Sequence, residues 1–125
     1  NPFNRAYSWQ VYGQLDFGLM NKAANVLMEY EDFTSFSKSN TDTKTNNCTI
    51  TYARWDRVED GKWRFTITAN RFLRNMVRAI VGTLVDVGRG KISIEQMRHI
   101  IEAKDRCQAG DSVPGNALFL VDVMY

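Results

Sequence analysis

Between residues 71 and 87 the apolar side chains keep a helical period while the cations keep the opposite side. With Arg71 as origin and about 100° per residue, Phe72, Met76, Ile80, Leu84 and Val87 fall between roughly 100° and 220°. Arg74, Arg78 and Gly82 fall within about 60° of Arg71 itself. A helix so divided must bury one stripe against a second layer and offers guanidinium groups on the other. Arginine holds carboxylates and phosphates in a planar fork, which lysine cannot do. Asn70 is placed to cap this helix, and Gly88 to end it.

The flanking segments alternate with period two. Tyr7 to Tyr12, Cys48 to Trp55, Trp63 to Ala69 and Leu118 to Tyr125 all read as strands, and Asp60-Gly61 as the turn joining the middle pair. Asp16 is positioned to cap a helix whose residues Met20, Ala23, Ala24, Leu27 and Met28 form one apolar stripe. Ser93 and Gln96 make a capping box for a third helix, with Ile94, Met97 and Ile101 on one face. The resulting order is strand, helix, strand, strand, helix, helix, strand. That order predicts an α+β fold, a ferredoxin-like antiparallel sheet with helices packed on one face. Ser37 to Asn47 is Ser, Thr, Asn and Lys rich; too polar to order itself, it is expected to be a mobile loop.

The chain has 125 residues, enough for one core, and 44% of them are hydrophobic. The longest nearly unbroken apolar run, Ala79 to Val85, is far short of the roughly 18 residues that span a bilayer. The first residues, Asn1-Pro2-Phe3, show neither Met nor a secretory leader and suggest a piece of a longer chain. Two cysteines, Cys48 and Cys107, make no disulfide framework and fit a reduced, cytoplasmic setting. Net charge is only +2, yet residues 71–106 hold 8 Lys and Arg against 4 Asp and Glu. Such a concentration suits a polyanion. His99 is the single histidine, so a triad or a Cys/His metal site has no obvious members. Trp9, Trp55 and Trp63 fit the core better than base stacking. From these features alone the reading is a nucleic-acid-binding or scaffold domain: a non-catalytic RNA-binding module or a ferredoxin-like oligomerisation domain.

Three segments narrow the choice. Asp32-Phe33-Thr34-Ser35-Phe36, then Phe72-Leu73-Arg74-Asn75-Met76-Val77-Arg78-Ala79-Ile80-Val81-Gly82-Thr83-Leu84, then Ala103-Lys104-Asp105-Arg106 resemble the tRNA pseudouridine synthase A (TruA) family in order and spacing. Ala117 to Val121 resembles its closing strand. The likeness covers residues 1–125 as the C-terminal half of a family member. It implies an enzyme that isomerises uridine to pseudouridine in the tRNA anticodon stem-loop, at positions 38, 39 and 40, with no metal or organic cofactor. It implies an attacking Asp in a Gly-Arg-Thr-Asp motif of the N-terminal half, a motif that these residues lack, so that they are inactive alone. Arg78 stands where the family places the Arg that pairs with that Asp, and Leu118 where an apolar residue packs on the target uracil. Arg71, Arg74, Lys38, Lys104 and Arg106 are the candidates for phosphate contacts, chosen by charge position. The implied partners are tRNA and a second subunit in a homodimer; no membrane is implied. Ala117, where the family commonly has Gly, and Asn47-Cys48, where many members carry an Arg, depart from the pattern.

Overall fold

A computed structural model describes residues 5–13, 15–36, 47–72, 76–103 and 118–122, the last of these as backbone. The elements are β1 (Arg5–Tyr12), α1 (Phe17–Leu27), a single 3-10 turn (Thr34–Phe36), β2 (Ile50–Glu59), β3 (Lys62–Ala69), α2 (Met76–Gly88), α3 (Ile94–Ala103) and β4 (Leu118–Asp122). The strands form one antiparallel sheet in the order β2-β3-β1-β4. This is the predicted ferredoxin-like arrangement with one additional helix.

Strand parity explains the layers. Tyr7 pairs with Ile67, Trp9 with Phe65, and Trp55 with Phe65 on the other side, so these side chains share one sheet face. Trp9, Trp55, Phe65 and Ile67 are buried with Phe17, Met20, Leu27, Ile80, Leu84 and Met97 from the helices. Phe17 bridges the layers, stacking on Trp63 at 4.2 Å and tilting against Trp55 at 5.5 Å. At about 25 cal/mol per Å2 of apolar surface removed from water, this cluster supplies the main drive to fold.

Local chemistry sets most element boundaries. Asp16 caps α1 by accepting from the Leu19 N–H at 3.0 Å. Ser93 and Gln96 form the reciprocal box at the start of α3, with bonds of 2.7 and 3.0 Å. The β2–β3 turn is Asp60-Gly61, with Gly61 at φ +74°.

Four details differ from the sequence reading. Asn70 does not cap α2: its side-chain oxygen accepts from the Thr49 N–H at 2.8 Å and its own N–H donates to the Thr49 carbonyl. The end of the sheet takes the side chain. Nor does Gly88 end α2 by a left-handed turn. Gly90 does so, at φ +79°, with Gly90 N–H bonded to Val87 O and Lys91 N–H to Asp86 O, the Schellman pattern. Met28 follows the end of α1 and is exposed, so the apolar stripe stops at Leu27. Finally, α2 is buried nearly all round, Val77, Ala79, Val81, Gly82 and Thr83 included. Only Arg78, Val85, Asp86 and Gly88 are partly open, so the expected cationic face shows one half-buried arginine, Arg78, among the described residues of α2.

Candidate active site

The candidate site lies at the end of the sheet where β3 passes into α2. β1 begins at this end, since Arg5 pairs with Ala69. Beyond Ala69 the chain carries Arg71 and Phe72, outside any strand or helix, on its way to α2 (Met76–Gly88). Arg78 lies in α2 and is half-buried between buried neighbours Val77 and Ala79.

Arg71 is not part of α2, so the helical wheel that grouped it with Arg78 does not apply to it. Its Nη1 donates to the Asn47 carbonyl at 3.3 Å. Asn47 in turn bridges Asp32, and the Cys48 N–H donates to the Glu31 carbonyl at 2.7 Å. The residues on either side of 37–46 are thereby held together and tied to the β3–α2 link. The Asp32–Phe36 segment supports them. Asp32 accepts from the Thr34 N–H and hydroxyl at 3.1 and 2.6 Å, an Asx turn. The buried Ser35 hydroxyl donates to the Ile100 carbonyl of α3 at 2.6 Å, while Phe33 and Phe36 are fully buried.

Leu118 begins β4 and opposes Trp9 in backbone register; two residues on, Leu120 opposes Tyr7. Arg74, Lys38, Lys104 and Arg106 lie outside the described residues, as does most of the polar loop. Of the predicted site residues, Arg71 and Arg78 are therefore at one end of the sheet, and Leu118 is on the strand beside β1.

Sequence reasoning passed over Tyr7, which it read only as the start of a strand. Its ring meets Phe72 edge-on at 4.9 Å and is half-buried on the helix-facing side of β1. Parity with Trp9 was the available signal for its direction; the contact with Phe72 required the fold.

A second charged cluster was also missed. Arg98 of α3 donates to both carboxylate oxygens of Glu29, at 2.9 and 3.2 Å. Tyr30 donates to Glu102 at 2.6 Å, and Arg98 lies 3.4 Å from the Tyr30 hydroxyl. The hydrogen bond from Arg98 holds the Glu29 carboxyl below its ordinary range, and the Glu102 carboxylate raises the Tyr30 phenol. This cluster clamps the end of α1 to α3 and is structural. Among the described residues no group of His, Cys, Asp or Glu is arranged to hold a metal, and no helix is long and apolar enough to cross a membrane.

Residues 23–125 match the protein family described as tRNA pseudouridine synthase. The chain is 63% identical to tRNA pseudouridine synthase A of Bacteroides thetaiotaomicron over 99% of its own length and 47% of that protein's. It is 62% identical to the enzyme of the same name from Parabacteroides distasonis, over 100% and 49% of the two chains. Against the Bacillus subtilis enzyme identity is 41%, over 98% and 49%. The chain spans about half the length of the curated relatives it matches. The fold, the placement of the Met-Val-Arg helix and these matches agree: the chain belongs to the tRNA pseudouridine synthase family.

Proposed function

We propose that this chain is the C-terminal half of the catalytic cleft of a tRNA pseudouridine synthase that isomerises uridine in the anticodon stem-loop at positions 38–40. The observation that carries the reading is the half-buried Arg78 of α2, within a family match that runs from residue 23 to 125. Arg78 is the ion-pair partner of an attacking Asp that residues 1–125 do not provide. A carboxylate must stay ionised to attack the nucleotide, and a guanidinium beside it lowers its pKa and sets its direction. Leu118 is the apolar wall against the extruded uracil, holding a flipped base by packing. Tyr7 belongs to the same wall by its position on β1 beside β4. No metal or organic cofactor takes part.

Arg71, Arg74, Lys38, Lys104 and Arg106 contact phosphates, with Arg71 also anchoring the loop base through Asn47. The intact protein is a cytoplasmic homodimer that holds tRNA across both subunits. The test is tritium release from tRNA transcripts carrying uridine labelled at carbon 5. The intact protein releases tritium, residues 1–125 alone do not, and an intact protein that leaves the label in place overturns the reading.

A further inference from the structure

The chain leaves β3 through one altered rung of the sheet. The last strand pair at this end is Ile50 with Ala69, and Thr49 and Asn70 stand next in line. A hydrogen-bonded antiparallel pair exchanges two bonds, each N–H going to the other residue's main-chain carbonyl. Half of that exchange is regular: the Asn70 N–H donates to the Thr49 carbonyl at 3.1 Å. The other half is not. The Thr49 N–H donates to the side-chain Oδ1 of Asn70, at 2.8 Å, in place of its main-chain carbonyl. A carboxamide oxygen accepts as a peptide carbonyl does, so the rung is complete without the Asn70 carbonyl. The backbone bends at Asn70.

Beyond the bend comes the cationic side of the proposed cleft. Arg71 donates to the Asn47 carbonyl at 3.3 Å, and Phe72 meets Tyr7 edge-on at 4.9 Å. Arg78 follows on α2. Asn70 offers two acceptors to the one Thr49 donor, and the choice between them sets the exit. Bonded through its main-chain carbonyl, residue 70 would stay in line with β3 and send Arg71 and Phe72 off in other directions. Bonded through its side chain, it ends the strand and lets the link turn towards α2.

We propose that Asn70 is a positioning residue of the isomerisation: its side chain fixes where the chain leaves the sheet, and so where Arg78 is held. This rests on the reading of Arg78 as the partner of the attacking Asp. The test is single-turnover tritium release by the intact protein at saturating tRNA, where changes of affinity through Arg71 do not enter. Asn70→Ala, which lacks the acceptor, is expected to slow release about 10- to 100-fold, the scale of loss when a reacting group is misplaced by about 1 Å. Asn70→Asp keeps an oxygen at the same reach and should recover most of the rate. In an Arg78→Ala background, Asn70→Ala should slow release by less than about twofold, because its effect passes through Arg78.

A folded Asn70→Ala protein with the wild-type rate overturns the proposal. So does an Asn70→Asp protein as slow as Asn70→Ala, or a loss that multiplies with that of Arg78→Ala. If Asn70→Ala does not fold, the same rates are read on Asn70→Gln, which sets the oxygen one methylene further out; the wild-type rate there likewise overturns it. A wild type that releases no tritium overturns the proposed function itself, whereas an active wild type beside an equally active Asn70→Ala overturns this inference alone.

Discussion

Met20 and Gly88 fill one space between α1 and α2: a β-carbon on Gly88 would lie 2.8 Å from the Met20 Cγ. The Asp16 N–H donates to the Gly88 carbonyl at 3.1 Å, so the backbone there has little freedom to retreat. Met20 is fully buried and has nowhere outside the core to go. Gly88→Ala is therefore expected to destabilise the protein by about 1–3 kcal/mol, the usual cost of overpacking. Chemical denaturation would measure it. Met20→Ala, itself destabilising, should make the second substitution cheaper, so the two effects fall short of additive.

Gly90 tests a different cost. Its φ of +79° closes the Schellman turn after α2 in open space, with nothing within 4 Å of an added β-carbon. Gly90→Ala should cost about 1–2 kcal/mol from backbone strain alone. Because no neighbour is touched, no second-site change of packing should rescue it.

The Glu29–Arg98 and Tyr30–Glu102 pairs predict opposite pH dependences. The folded-state pKa of Glu29 is depressed, so its contribution is present above the ordinary carboxylate range and is lost as pH falls through the folded value. The folded pKa of Tyr30 is raised above the ordinary phenol range, so its contribution is complete below that range and is lost as pH rises through the folded value. Thermal melts of wild type and Arg98→Ala should converge in acid. Phenolate absorbance should show Tyr30 titrating late, and Glu102→Gln should bring it earlier.

For Arg78, the proposed function predicts that Arg78→Ala in the intact enzyme lowers turnover by about 100-fold or more, the scale seen when one preorganised electrostatic partner is removed. The fold and the affinity for tRNA should change little. Arg78→Lys should recover only part of the loss, since a lysine cannot hold a carboxylate with two parallel bonds. Single-turnover rates and filter binding separate the two effects; near-normal turnover in Arg78→Ala would refute the ion-pair role.

Phosphate contact has its own signature. Each lysine or arginine that neutralises a phosphate contributes about one to the slope of log affinity against log salt. Arg74→Ala, Lys104→Ala and Arg106→Ala should each weaken tRNA binding at low salt and flatten that slope. A variant with an unchanged slope removes its residue from the interface.

Much of the fold was legible in the residues themselves. The strand alternation, the Asp16 cap, the Ser93–Gln96 box and the Asp60-Gly61 turn are local devices, each acting within a few residues and surviving in the structure as read. The place of Arg78 on α2 was legible as well, through the motif around it. What the residues alone misjudged were positions where a distant group competes. Asn70 has the chemistry of a cap, but the Thr49 backbone of the neighbouring strand claims it. Arg71 continues the helical period, yet the chain there is still leaving the sheet and the side chain reaches Asn47. Gly82 falls on the side of the helix shared with the arginines, yet it is buried, because α2 is enclosed on nearly every side. Tyr7 against Phe72, Asn21 on Trp55 and Arg98 on Glu29 join residues 65, 34 and 69 positions apart. Such contacts depend on how the layers are stacked, and only the assembled core decides which polar group finds which partner.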